Sequence, residues 1–236
     1  MIDLVAVAHG TADPRGIRTV RDLVREMAVS RPEIPMSLGF VDVQEPALPG
    51  LVSRVVADSN QSVLVPLLLS SGYHVGVDIG REVVRRPGQV VAAPALGPSP
   101  VLADVLVDRL GDLSGIDSVV LAAAGSSDRA ALLDCSATAA LLGERLGRSV
   151  EVGYISGAGE RLGPVIARTP GRVAVATYLL APGFFADRAA RIAGAAGAVR
   201  CSAPLGADRR IAQLALQRYD LALASTTKRR VDAFCR

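Results

Sequence analysis

The sequence carries its own duplicate: two stretches of about 110 residues pass through the same succession of apolar runs, helical spacings and glycine turns. A period this long exceeds that of solenoid repeats and marks duplication of a whole small domain. In the first half, β-type apolar runs at 3–8, 36–41, 62–69 and 89–93 alternate with helically spaced segments at 15–29, 48–57, 77–85 and 101–110. The second half repeats the strands at 118–123, 150–155, 173–178 and 198–201. Periodicity breaks at Gly-Asp-Leu-Ser-Gly, 111–115, which divides the chain into domains 1–113 and 114–236. Strictly alternating strands and helices call for an α/β fold: two similar domains, each a four-stranded parallel sheet flanked by helices on both faces. Right-handed crossovers favour the strand order 2-1-3-4, which makes strands one and three neighbours at the point where the order reverses.

Composition excludes several classes. Half of the 236 residues are hydrophobic, enough for a sizeable core. Charged residues, glycine or proline interrupt every apolar stretch before the ~18 residues that cross a bilayer. The N-terminus lacks the basic segment of a secretory leader, so a cytoplasmic location and no membrane partner are expected. Cys135, Cys201 and Cys235 are odd in number and far apart, as reduced thiols are. The net charge of +3 divides into −3 over residues 1–113 and +6 over 114–236, and every cation except Lys228 is Arg. With 3% aromatics and no nucleic-acid motif, the arginines suit carboxylates better than nucleic acid.

The chain has two histidines, His9 and His74, and each follows a strand, the first and the third. In an open parallel sheet the loops after these strands emerge at one edge, where ligands bind. Both imidazoles are expected to face one crevice. In the duplicate, Ala124 stands in the place of His9 and Phe185 in that of His74, so the pair is lost together. Imidazole binds Fe, Co, Ni, Cu and Zn, and its ordinary pKa of about 6.5 also lets it take a proton. Without HExxH or CxxC, an open site that metal passes through fits better than a closed structural one.

Glu45, in the loop after the second strand, is a candidate third ligand or proton relay; Asp42 reads as a turn residue. Gly10, Thr11 and Arg15 after strand one, and Ser71, Gly72 and Tyr73 after strand three, are candidate substrate contacts. Phe184 and Phe185, adjacent in the matching loop of the second copy, suit the wall of a site for a large flat molecule. Arg81 and Arg188 lie just after these loops, in reach of ligand carboxylates.

These motifs (AHGTADPRG, a Glu-Pro step and LLLSSGYHVGVDI) resemble those of the sirohydrochlorin cobaltochelatase and ferrochelatase family, the small class II chelatases, over residues 1 to about 225. The resemblance implies two chelatase-like domains enclosing a tetrapyrrole, sirohydrochlorin, in the cleft between them. His9 and His74 would bind the incoming Co²⁺, Fe²⁺ or Ni²⁺ and help remove the pyrrole protons. The metal is then a substrate for siroheme or cobalamin synthesis, with no further cofactor. The substrate's eight carboxylates would suit the Arg-rich half. Where the family often has Phe-Leu-Glu after strand two, this chain has Phe40-Val41-Asp42. Fusion of both units in one chain suggests that a monomer suffices. Two other readings remain: a non-catalytic tetrapyrrole or metal carrier, and a histidine-phosphatase-like enzyme. The latter's phosphate-gripping Arg is replaced here by Ala8.

Overall fold

The computed structural model describes residues 2–59, 61–72 and 74–234, with side chains except at 74–75 and 226–234. The first half folds as β1 (Asp3–Ala8), α1 (Pro14–Ser30), β2 (Met36–Phe40), α2 (Leu48–Ser59), β3 (Ser62–Pro66), a π-helical segment (His74–Ile79), α3 (Gly80–Arg85), β4 (Val90–Ala92) and α4 (Pro100–Leu110). The second follows with β5 (Ser118–Ala123), α5 (Arg129–Leu146), β6 (Val150–Tyr154), α6 (Leu162–Arg168), β7 (Val173–Tyr178), α7 (Phe184–Ala195), β8 (Arg200–Cys201) and α8 (Arg209–Phe234).

The strands form two parallel four-stranded sheets, as the alternation calls for, ordered β2-β1-β3-β4 and β6-β5-β7-β8, the order that right-handed crossovers favour. β1 is buried along nearly its whole length because both its faces are covered. Its odd and even positions serve different layers. Leu4, Ala6 and Ala8 join a central core that also holds Leu121 and Ala123 of the second sheet. Val5 and Val7 point outward to Leu48, Leu51 and Val52 of α2. On the second sheet Val120 and Ala122 likewise meet Leu162 and Val165 of α6.

The central core is continuous because the two copies exchange their last helices. α4 packs on α5 and β7, whereas α8 packs on α1, β3 and β4. Leu102, Ala103, Val105 and Leu106 of α4 are fully buried, each larger side chain contributing about 1.5–3 kcal/mol. Polar ties reinforce the exchange: the Tyr219 hydroxyl donates to the Ile2 carbonyl at 2.6 Å, and Arg109 Nη2 donates to the Leu205 carbonyl at 2.7 Å.

Several strands are shorter than the spacing predicts. β3 ends at Pro66 instead of 69, with Leu67–Leu69 lining the inter-repeat cavity, β4 keeps three residues of the run at 89–93, β8 keeps two of the run at 198–201, and β2 and β6 each end one residue early. The first three residues of the helix expected from 77 belong to the π-helical segment, so His74 is that segment's first residue and stands eight residues beyond the end of β3.

Candidate functional site

β1 ends at Ala8, and Gly10, with φ of 101°, turns the chain so that His9 is exposed. Only glycine suits this turn: a Cβ there would fall 2.0 Å from the Asp42 carbonyl oxygen. The Asp42 N–H donates to the His9 carbonyl at 2.9 Å, and the Thr11 N–H donates to Gln44 Oε1 at 2.8 Å. Asp13 then caps α1, accepting the Arg15 N–H at 2.8 Å, with Pro14 in the first helical position. His9 Nδ1 lies 3.3 Å from the Gly10 carbonyl oxygen.

The second copy builds the same turn without a histidine. Ser156 N–H donates to the Ala124 carbonyl at 2.9 Å, and a Cβ on Gly125 would meet the Ser156 carbonyl oxygen at 1.9 Å. Asp128 caps α5 as Asp13 caps α1, and the Ser126 hydroxyl accepts the Asp128 N–H as Thr11 accepts that of Asp13. The backbone therefore forms equally well with alanine in the place of His9, and the fold itself has no need of the imidazole.

Between the repeats lies a cavity of about 750 Å³, toward the large end of the roughly 300–1,000 Å³ usual for small-molecule sites. Its wall comprises residues 8–12, 43–44, 67–70 and Gly72 of the first half, with 123–127, parts of α5 and 178–185 of the second. The two sides are related by a rough twofold. Positions where Cβ atoms are built on Gly72 and Gly183 face Ala131 and Ser126 in one case and Thr11 and Asp13 in the other, at 3.4–3.8 Å.

His9, Gly10, Thr11, Gly72, Phe184 and Phe185 line this cavity. The two phenylalanines open α7, 64% and 40% exposed, with rings edge to face at 5.6 Å. Such exposure is costly in water and useful against a flat apolar ligand. Ser71 lies outside the wall, where its N–H donates to the Asp134 carboxylate of α5 at 2.7 Å and its hydroxyl to the same group. Arg15 also stands outside. It pairs with Asp13 at 2.7 Å and with Asp187 of α7 at 2.6 Å, bridging the two lips of the cleft. Its guanidinium holds Asp13 down at about 2. Glu45 is exposed and away from the wall, its carboxylate accepting the Ala47 N–H at 2.7 Å just ahead of α2. Tyr73 and the His74 side chain lie outside the described residues, as does Cys235. β1 and β3 are adjacent, so the loops bearing the two histidines leave neighbouring strands.

Among the described residues the wall carries no Arg, Lys, Asp or Glu, contrary to the expectation that the Arg-rich half would meet carboxylates there. Several of those arginines serve the scaffold instead. Arg168 binds Glu151 and Glu160, Arg200 the Leu110 carbonyl, and Arg210 Asp108 and Asp208, because the planar fork suits paired oxygens. Arg81 pairs with Asp78 at 3.8 Å, and Arg188 is exposed on α7 away from the wall. Among the described residues no three His, Cys, Asp or Glu side chains cluster closely enough to hold a metal ion. Within the same residues no helix is long and apolar enough to cross a membrane.

Two wall residues escape sequence reasoning. Tyr178 ends β7 with 2% exposure; its hydroxyl donates to the Leu69 carbonyl of the other repeat at 2.8 Å and lies 3.2 Å from Thr138 Oγ1. Burial pushes its phenol far up from the ordinary value. The available signal was a tyrosine where the first copy has Leu67. Val43 has φ of 62°, the only positive value at a non-glycine among the described residues, and such a backbone costs about 1–2 kcal/mol. Its counterpart in the duplicate is Gly157, at φ of 65°.

The family model CbiX matches the chain twice, over residues 3–113 and 118–222. No curated protein sequence matches it significantly. Among solved structures, SirB from Bacillus subtilis with Fe³⁺ is similar at a TM-score of 0.82 and 20% identity, over 97% of this chain and 98% of that one. The sirohydrochlorin chelatase SirB from Bacillus subtilis subspecies spizizenii in complex with cobalt follows at 0.72 and 19%, covering 93% and 94%. CbiX, described as the terminal enzyme for biosynthesis of siroheme in denitrifying bacteria, gives 0.68 and 15%, covering 93% and 99%. These likenesses extend over both repeats and show the fold, while the paired family matches together span most of the sequence: the chain belongs to the CbiX family.

Proposed function

We propose that this chain is a metal chelatase that inserts a divalent metal into sirohydrochlorin, with His9 and His74 as its reacting groups. The observation that carries the reading is the asymmetric cavity. Two copies of one turn face it, and only the first bears an imidazole that the turn itself does not require. Family membership supports it, as do the SirB and CbiX structures, whose names connect them with sirohydrochlorin, cobalt, iron and siroheme.

Insertion exchanges two pyrrole protons for one M²⁺, which leaves the oxidation state unchanged and calls for no redox partner or nucleotide. The apolar wall receives the macrocycle and excludes water, which strengthens every charge interaction inside. Substrate carboxylates then point to the open mouth, since no cation on the described wall meets them. His9 and His74 take the metal from solvent and accept the departing protons. Glu45, committed to the Ala47 amide, enters as a solvent-side proton relay. Phe184 and Phe185 cover the macrocycle from the second copy, and Gly10, Thr11, Ser71, Gly72, Tyr73 and Arg15 shape or hold the lips. Both halves of the cavity come from one chain, which supports a monomer, and the free thiols Cys135 and Cys201 suit a cytoplasmic location.

The test is repeated turnover of metal-free sirohydrochlorin with Co²⁺, Fe²⁺ and Ni²⁺, followed in the visible spectrum. His9→Ala and His74→Ala are expected to melt like the parent and lose most chelation. Unchanged rates in both refute these roles, and a single stoichiometric binding step without turnover identifies a carrier.

A further inference from the structure

We infer that Val43 is a substrate-binding residue of the site assigned above, an apolar tip that packs against the macrocycle beside His9; the inference rests on that assignment and deepens it. Valine is poorly suited to its backbone here, since a β-branched side chain at positive φ is a conformational outlier. The duplicate shows what the turn alone favours, because Gly157 holds the equivalent place with nearly the same φ. Burial does not account for the exchange: Val43 is 61% exposed and lines the cavity.

The strained residue is also held in place. Gln44 N–H donates to the Asp42 carbonyl at 2.6 Å around it, Val43 N–H donates to Asp42 Oδ1 at 2.8 Å, and Asp42 N–H donates to the His9 carbonyl. Val43 and His9 are thus carried on two tied loops, and a ligand near the imidazole meets the valine methyls. Backbone strain maintained by its surroundings, with an exposed apolar group aimed into a cavity, points to a contact completed only by the ligand. The ligand chemistry that fits is the apolar face or edge of a conjugated macrocycle, and the contact keeps water from the metal's entry side.

The full-length chain is compared with Val43→Gly and Val43→Thr. Three quantities are read: the melting temperature, KM and kcat for sirohydrochlorin with Co²⁺, and the spectral titration of metal-free sirohydrochlorin. Val43→Gly removes both strain and methyls. Its melting point should hold or rise by about 2–4 °C, while KM and the titrated Kd rise by about tenfold. Val43→Thr keeps shape and strain but replaces a methyl with a hydroxyl, so its melting point stays near the parent's and KM rises by about threefold. A fall in the melting point of Val43→Gly by more than about 3 °C would make Val43 a structural residue. Binding of both variants within twofold of the parent also overturns the inference while leaving the chelatase assignment standing. A parent that binds sirohydrochlorin without metallating it ends the assignment, and the titration still judges the Val43 contact; a parent that does neither ends both.

Discussion

Tyr178→Phe isolates the tie that joins the two repeats at the cavity. The substitution keeps the ring, so packing in the central core is unchanged, and it deletes one hydroxyl that is 2% exposed at residue level. The deletion removes the 2.8 Å bond to the Leu69 carbonyl and leaves that oxygen facing an apolar ring. Thr138 loses little, because its own hydroxyl already has the Asp134 carbonyl as acceptor at 2.9 Å. An unsatisfied buried carbonyl costs about 1–3 kcal/mol. Taking the middle, about 2 kcal/mol, a chain of this size should melt about 4–8 °C lower. The check is calorimetric melting at pH 7 with urea unfolding alongside, where the midpoint should fall and the slope stay constant. A shift below about 1 °C would refute the reasoning, since it would mean that the Leu69 carbonyl finds another donor. Thr138→Val in the same background supplies a double-mutant cycle, whose coupling with Tyr178→Phe should be no more than about 1 kcal/mol.

Other outcomes follow from the same geometry. Gly10→Ala places a Cβ 2.0 Å from the Asp42 carbonyl oxygen at φ of 101°; the loops must part, so chelation should fall at least tenfold with a loss of more than about 2 kcal/mol in urea. For Cys135, burial pushes the thiol up to about 11. Above its ordinary value of about 8.5–9 the unfolded chain ionises first, so this group's stabilisation is complete below pH 9 and declines as pH rises toward 11. Between pH 9 and 10, before tyrosines dominate, Cys135→Ala should lose about 1 kcal/mol less than the parent; equal losses contradict the assignment. Asp187→Asn opens the Arg15 bridge across the lips. As the pair is exposed, the melting point should change by only about a degree, and by nothing at 1 M salt.

The sequence alone determined the architecture, and the reason is local. Runs such as Leu4–Ala8 bury both strand faces, Asp-Pro at 13–14 starts α1, and the same grammar recurs after residue 113, so alternation calls for parallel sheets and crossover handedness favours the order found. The place of His9 was legible for the same reason, since a residue directly after a central strand can only leave at the carboxyl edge. Tertiary structure alone decided what surrounds it. The exchange of α4 and α8 depends on helix faces that either sheet would accept, and no spacing rule distinguishes the two. The commitments of Ser71 and Arg15 to Asp134 and Asp187 join groups 63 and 172 residues apart, whose proximity appears only once the sheets and loops are packed. Val43 shows the boundary most clearly. Its letter reads as one more apolar residue, and only the folded backbone reveals that it occupies a glycine's conformation at the edge of the cavity.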